Sequence, residues 1–533
     1  MINNIRKWEN NFSISKATFI VGFLTLLSRL IGLLRDRLFA SNFGAGDTLD
    51  IYYAAFRIPD LVFNLLILGT LSVAFIPIFT ELLLNDRPRA YKNANAVLNS
   101  TILLMSAICL ILFFFATPLT KLMVPGFSGE KLLSTIALTK ILLFSPIIFT
   151  LSNVFSSILN AQKRFIAVGL APILYNFGII GGLIFLYPRF GLKGLGYGVI
   201  LGALMHLLVQ IPEAIRLGFK WQFIIDFKDR AFRKMGKLFI PRIFGVDNSQ
   251  ISLLIGSIIG SILASGSITV FNLANNLQAV PIGIFAISAS IAAFPLLSEN
   301  FSQKKETGFL SALNKTISQI LYFIIPISIW ILLLRAQIVR LVFGAGKFDW
   351  QDTILTFNTL GIFSLALVSQ SLSPLFSRAF YARQNTIIPV IINFFTMALN
   401  AVLAFILGKK MGITGVAAGF AVSSLLNAAT LYVVLKTLMA KSNSFAEKTE
   451  LALLDNNLMI EIAKMVLSSL FAGLATYACL YLIEPLINTH KVLGLLTQTA
   501  FAFSVGVVIY LATTYKLNLD QTKKTLRFLR NLF

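Results

Sequence analysis

The sequence predicts an all-α polytopic membrane protein of about 14 transmembrane helices, built as two parallel six-helix lobes with two extra helices at the C-terminal end. Three observations predict it. Of the 533 residues, 57% are hydrophobic and only 13% are charged, against roughly 25% charged in a soluble domain. Apolar runs near the ~20 residues needed to cross a bilayer recur along the whole chain, without the short alternating strands of a barrel. Finally, two sequence elements occur twice in the same order, six spans apart.

The first run, near 15–40, contains Arg29, Arg35 and Asp36. A charge at the bilayer centre costs roughly 2.5–3.5 kcal/mol on insertion scales, so such residues normally face a cavity or a partner. Arg29 and Asp36 are seven residues apart and share a helical face, and both long guanidinium arms can converge on one anion. An interfacial anchoring role for Arg35 and Asp36 is the plainer alternative. The second run, near 50–82, carries Asp50, Arg57, Asp60 and Asn64. Arg57 and Asp60 have ion-pair spacing, and this face is expected either to wall a cavity or to fix helix packing. Further runs fall near 94–118, 132–160, 165–188 and 192–215.

Residues 216–234 form a basic linker that divides the chain, after which runs fall near 235–264, 267–298, 309–335, 351–381, 385–408 and 412–437. The lobes are then 1–215 and 235–440, and residues 441–533 hold two additional helices, near 458–484 and 491–515, and a basic tail. The duplication is read from Pro172 and Asn176 against Pro389 and Asn393. The second copy pairs the turn at Gly191, Gly194 and Gly198 with that at Gly412, Gly415 and Gly419. With both termini in the cytoplasm, the linker and the tail put most Lys and Arg inside. In the seventh run, Arg242 is a candidate cavity cation and Asp247 a candidate coupling-ion site or counter-charge. In the eighth, Asn272 and Asn276 share a face and can hydrogen-bond a polar cargo or a neighbouring helix.

Several classes are excluded or disfavoured. The net charge of +23 lies in connecting loops, and no soluble basic domain exists to hold nucleic acid. The loops at Gly44–Asp47 and Gly344–Lys347 lack Walker spacing. Cys109 and Cys479 sit in apolar runs and read as small hydrophobes, and His206 and His490 are too separated for a metal site. Nothing resembles a nucleophile elbow or an accessible acid pair, so a transporter is expected rather than an enzyme.

Ser28-Arg29-x5-Arg35-Asp36, Phe43-Gly44-Ala45-Gly46, Asp50, Ala55-Phe56-Arg57-Ile58-Pro59-Asp60-Leu61 and Ala74-Phe75-Ile76-Pro77 resemble the opening signature of the MurJ (MviN) family of bacterial lipid II flippases. The resemblance continues through Ser249-Gln250-Ile251-Ser252-Leu253, Ala264-Ser265-Gly266-Ser267, Tyr381-x-Arg383-Gln384 and Pro389. It implies the fold of the multidrug/oligosaccharidyl-lipid/polysaccharide (MOP) exporters, with alternating access around a cationic cavity and a groove in the last two spans for the undecaprenyl tail. Arg29 and Arg35 match the family's first-span arginines, which are thought to engage the lipid diphosphate. The expected cargo is lipid II, the undecaprenyl-diphosphate-linked disaccharide peptide, moved across the bacterial cytoplasmic membrane. No cofactor is expected, and the drive is membrane potential or a monovalent cation. Membrane lipids and the cell-wall synthesis machinery are the other expected partners.

The chain departs from the family pattern in two places. Phe63-Asn64 replaces a basic pair and Leu68 an acidic residue, while Asn275-Asn276 replaces Asp-Arg and Ala279 another acidic residue. Loss of both signs keeps the local balance level. The departures keep two alternatives open: a flippase for another polyprenyl-diphosphate glycan, or a non-transporting cell-wall scaffold.

Overall fold

The computed structural model describes residues 14–66, 70–226, 248–440, 453–489 and 491–530. These residues are overwhelmingly helical, with no strand among them. They divide by packing into two compact units, Met1–Thr269 and Val270–Phe533.

The first unit opens with α1 (Ile14–Phe43), followed by three shorter helices, α2 (Asp47–Ala55), α3 (Arg57–Leu66) and α4 (Thr70–Asn85). Then come α5 (Arg87–Phe114), α6 (Ala116–Met123), α7 (Gly129–Ala161), α8 (Phe165–Phe190), α9 (Leu192–Arg216) and α10 (Asn248–Gly260). The Asp86 side chain caps α5 by accepting from Arg89 N at 3.1 Å, and Pro88 occupies the first turn, where no donor is needed. A core of Phe75, Phe79, Val97, Leu98, Val154 and Ile158 joins α4, α5 and the second half of α7. His206 on α9 lies 2.6 Å from Ser152 Oγ on α7, and Gln210 Nε2 donates to that same oxygen at 2.7 Å. Cys109 is buried in this unit, as Cys479 is in the other.

The second unit comprises nearly all of α11 (Ser267–Ser302), then α12 (Glu306–Val342), α13 (Trp350–Leu365), α14 (Leu367–Ala382), α15 (Ile387–Met411) and α16 (Ile413–Ala440). It ends with α17 (Asn456–Leu486), α18 (Val492–Lys516) and the short basic α19 (Asp520–Arg530). The 37-residue α12 is its axis and packs against α11, α13, α14, α17 and α18. Tyr510 on α18 donates its hydroxyl to the Tyr322 carbonyl at 2.7 Å. Gly506 lies so near Thr476 and Trp330 that a Cβ would come within 2.2 Å of the threonine oxygen.

Ten described helices are long and apolar enough to cross a membrane, or 11 if α13 and α14, bent by 47°, are one span. The expected count of about 14 is therefore not reached among the described residues. The first, second and seventh predicted spans account for the difference. Charges interrupt α1, the second run is broken into α2, α3 and α4, and only α10 of the seventh lies within the described residues.

The paired motifs have matching geometry. Gly191 (φ 56°) joins α8 to α9, and Gly412 (φ 63°) joins α15 to α16. In each turn the N–H three residues on returns to the glycine carbonyl, Gly194 to Gly191 at 2.9 Å and Gly415 to Gly412 at 3.0 Å. The helices then run together on small residues. A Cβ on Gly182 would lie 2.3 Å from Gly198 Cα, and one on Gly178 2.3 Å from Gly202 Cα. Small residues let membrane helices approach to backbone contact. Gly182→Val should therefore force α8 and α9 apart and cost about 3 kcal/mol, read as a lower melting temperature in detergent. Gly181→Ala, whose Cβ would meet nothing within 4 Å, should not lower it.

Candidate functional site

α1 presents Arg29 half-buried and, six residues on, Arg35 beside Asp36, which is only 2% exposed. Arg35 donates from Nε and Nη2 to Asp36 Oδ1 at 3.0 and 2.7 Å, and from Nη1 to Asn176 Oδ1 at 3.0 Å. Asn176 is oriented from within α8, where its Nδ2 donates to the Pro172 carbonyl at 3.0 Å and so turns its oxygen toward the arginine. Gly32 lies against the same amide, and a Cβ there would stand 3.9 Å from its oxygen. These three bonds use three of the five guanidinium N–H groups, leaving two for an anionic ligand. The chemistry suits a phosphate oxygen, because the fork is held rigid before any ligand arrives.

Arg57, at the start of α3, is buried and donates from Nε to Ser257 Oγ on α10 at 2.6 Å. Asp60, at the i,i+3 spacing the sequence suggested, follows one turn on along the same helix. Asn64 is half-buried and returns its Nδ2 to the Asp60 carbonyl at 2.8 Å. In the second unit Asn272 is buried and Asn276 half-buried on α11. Between them Asn275 Oδ1 accepts from Gln278 Nε2 at 3.0 Å, and Gln278 Oε1 accepts from Gln370 of α14 at 3.0 Å. Arg242 and Asp247 lie outside the described residues.

One polar centre was not foreseen as a unit. Asp50, 1% exposed on α2, accepts from Gly266 N at 2.8 Å, Thr269 N at 2.9 Å and Thr269 Oγ1 at 2.8 Å, with Lys131 Nζ at 3.4 Å. Asp47 Oδ1 accepts from Lys131 Nζ at 2.6 Å and from Ser265 Oγ at 2.5 Å. The sequence offered Asp50 and the glycine-bearing stretch at 264–267 as separate signals, with nothing to join them. Asp47 precedes the second predicted span, and the bonds from Lys131 and Ser265 hold its carboxyl below the usual carboxylate range. A depressed folded pKa stabilises above the unfolded value, near 4, and that contribution fades as pH falls through the lower folded value. Asp47→Asn should lower the melting temperature at neutral pH and converge with wild type as the pH falls, so that the acid side of its profile is flatter.

Helical units with ten membrane-length apolar helices, small-residue hairpins and an arginine fork held between α1 and α8 define a polytopic helical membrane protein. The fold is shared with a solved structure described as the inward-facing conformation of a multidrug resistance MATE family transporter of the MOP superfamily. That match has a TM-score of 0.65 at 17% identity, covering 78% of this chain and 94% of that one. A structure described as lipid II flippase MurJ, inward closed conformation, matches at TM-score 0.76 and 26% identity over 94% of this chain and 98% of that one. The family model described as lipid II flippase MurJ covers residues 39–515. Probable lipid II flippases MurJ of Buchnera aphidicola (from Acyrthosiphon pisum) and Vibrio cholerae are 31% and 30% identical. They cover 77% and 78% of this chain, and in each case 82% of the relative. The chain belongs to the lipid II flippase MurJ family, and is a multi-pass membrane transporter.

Proposed function

We propose that this chain moves lipid II across the bacterial cytoplasmic membrane, with the diphosphate gripped by first-span arginines. The observation that carries this reading is Arg35, fixed by Asp36 and Asn176 with two N–H groups to spare. Family membership supports the cargo. In this reading Arg29 adds a second cation, and Arg57 and Arg242 raise the positive potential. Asn64, Asn272 and Asn276 meet polar parts of the cargo, with 1–215 and 235–440 as the two lobes of an alternating-access cycle. The drive is the membrane potential acting on an anionic cargo, or a monovalent cation at Asp247. In this reading both termini face the cytoplasm, and the cell-wall synthesis machinery consumes the delivered cargo.

The test is depletion in the host. Lipid II should accumulate on the inner leaflet, and a plasmid copy of this chain should clear it. Accumulation of a different polyprenyl-diphosphate glycan would move the assignment to that cargo. The amide cluster of Asn275, Gln278 and Gln370, which offers hydrogen bonds and no charge, favours this second reading.

A further inference from the structure

Beyond the transport path, the first unit carries a cavity of about 990 Å³ at the foot of α5. Residues 217–226, which follow α9, are laid along that helix by a ladder of side chains one turn apart. Tyr91 donates its hydroxyl to the Leu217 carbonyl. Asn95 donates to Lys220 O at 2.9 Å and accepts from Gln222 N at 2.9 Å. Asn99 donates to the carbonyls of Gln222 and Ile224 at 2.8 and 3.0 Å. Asn95 and Asn99 are buried, so these bonds hold the segment in place rather than decorate a surface.

The held segment is two-faced. Lys220, Gln222, Ile224 and Asp226 line the cavity together with Arg87, Arg89 and Lys92. Trp221 and Phe223, between them in sequence, are 64% and 75% exposed. Four cationic side chains outnumber the two acidic ones, Asp86 and Asp226. Asp86 already caps the helix, so the attraction for an anion comes from the side chains and not from the helix end. The position is also informative, because the uninterrupted apolar stretch of α5 begins only at Ile102 and α9 ends at Arg216, so the cavity lies at the polar end of two membrane-length helices. Aromatic residues settle at that level, and clustered Lys and Arg there attract anionic headgroups.

We propose that this cavity is a binding site for the phosphodiester headgroup of an anionic phospholipid, with Arg89, Lys92 and Lys220 on the phosphate and Trp221 and Phe223 against the acyl chains. A free phosphate would use the same cations and ignore the aromatic pair. That difference selects the lipid, since nothing in a phosphate site calls for two large apolar side chains facing outward.

The test titrates phosphatidylglycerol, phosphatidylcholine and inorganic phosphate into the detergent-solubilised full-length protein, with bound species counted by native mass spectrometry. Wild type should hold phosphatidylglycerol roughly tenfold or more tightly than phosphatidylcholine. Arg89→Gln/Lys92→Gln/Lys220→Gln should abolish that preference; Arg87 is kept because its Nη2 donates to the Leu217 carbonyl at 2.8 Å. If the triple variant does not fold, Lys92→Gln/Lys220→Gln should still reduce the preference. Lys409→Gln/Lys410→Gln, at the end of another helix, should leave it intact. Trp221→Ala/Phe223→Ala should weaken phosphatidylglycerol and leave inorganic phosphate unaffected. A triple variant with wild-type preference, or an equal loss in the 409/410 pair, would overturn the site. Displacement of the lipid by an equal concentration of inorganic phosphate would overturn its assignment to lipid.

Discussion

Arg35→Ala is expected to abolish cargo transport and, separately, to lower stability by about 3 kcal/mol. The second effect follows from what the guanidinium leaves behind. Asp36 is 3% exposed at its side chain and accepts two of its N–H groups from Arg35, and removing one member of a buried charge pair typically costs 3–5 kcal/mol. The partial exposure of Arg35, 21%, trims that figure. Arg35→Lys should recover part of the stability but little transport, because a point charge cannot reach Asp36, Asn176 and a phosphate together. Arg35→Gln/Asp36→Asn separates the two effects. It removes both charges while keeping hydrogen-bonding groups, so melting temperature should return toward wild type while transport stays lost. The measurements are thermal unfolding in detergent and growth of a conditional flippase mutant. Wild-type growth supported by the alanine variant would leave Arg35 with a packing role alone.

Gly266→Ala is the substitution expected to damage the fold most. Its φ of 85° lies where a side chain is strained, and a Cβ would come within 2.0 Å of the Ala45 carbonyl oxygen. The left-handed backbone and the overlap each cost roughly 1–3 kcal/mol. Relief by moving the loop would also pull the Gly266 N–H away from Asp50 Oδ2, a bond of 2.8 Å. Together a loss of at least about 3 kcal/mol is expected, enough to reduce the folded protein recovered from membranes. Gly129 gives the comparison. Its φ is 53°, but no atom lies within 4 Å of a Cβ there, so Gly129→Ala should show the backbone strain alone.

These two positions also mark what the sequence could reveal. The first-span arginines were legible because a charge inside an apolar run is conspicuous whatever surrounds it. Asn176 was visible only as a marker of the internal repeat, since its bond to Arg35 spans 141 positions and no local pattern encodes such a partner. Arg57 showed its i,i+3 neighbour Asp60, while Ser257, 200 residues away, did not stand out from other small polar residues. Asp50 was noted as one more charge in a broken span. Its importance comes from the backbone N–H groups of residues 266 and 269, which carry no side-chain signature at all. The helical fold was the easy part, because each apolar run reports itself. The number of crossings was harder, since the second run reads as one apolar stretch and folds as several short helices.

The one-glycine links at 191 and 412 have an evolutionary consequence. Inserting or deleting a single residue there would rotate the following helix by about 100°. Gly198 and Gly202, or Gly415 and Gly419, would then be replaced at the seam by residues with side chains, at points where even one carbon collides with the neighbouring backbone. Length variation among descendants of this chain should therefore be rare at these two corners and accumulate in the longer connections, so that both copies keep the same phase however far their sequences drift.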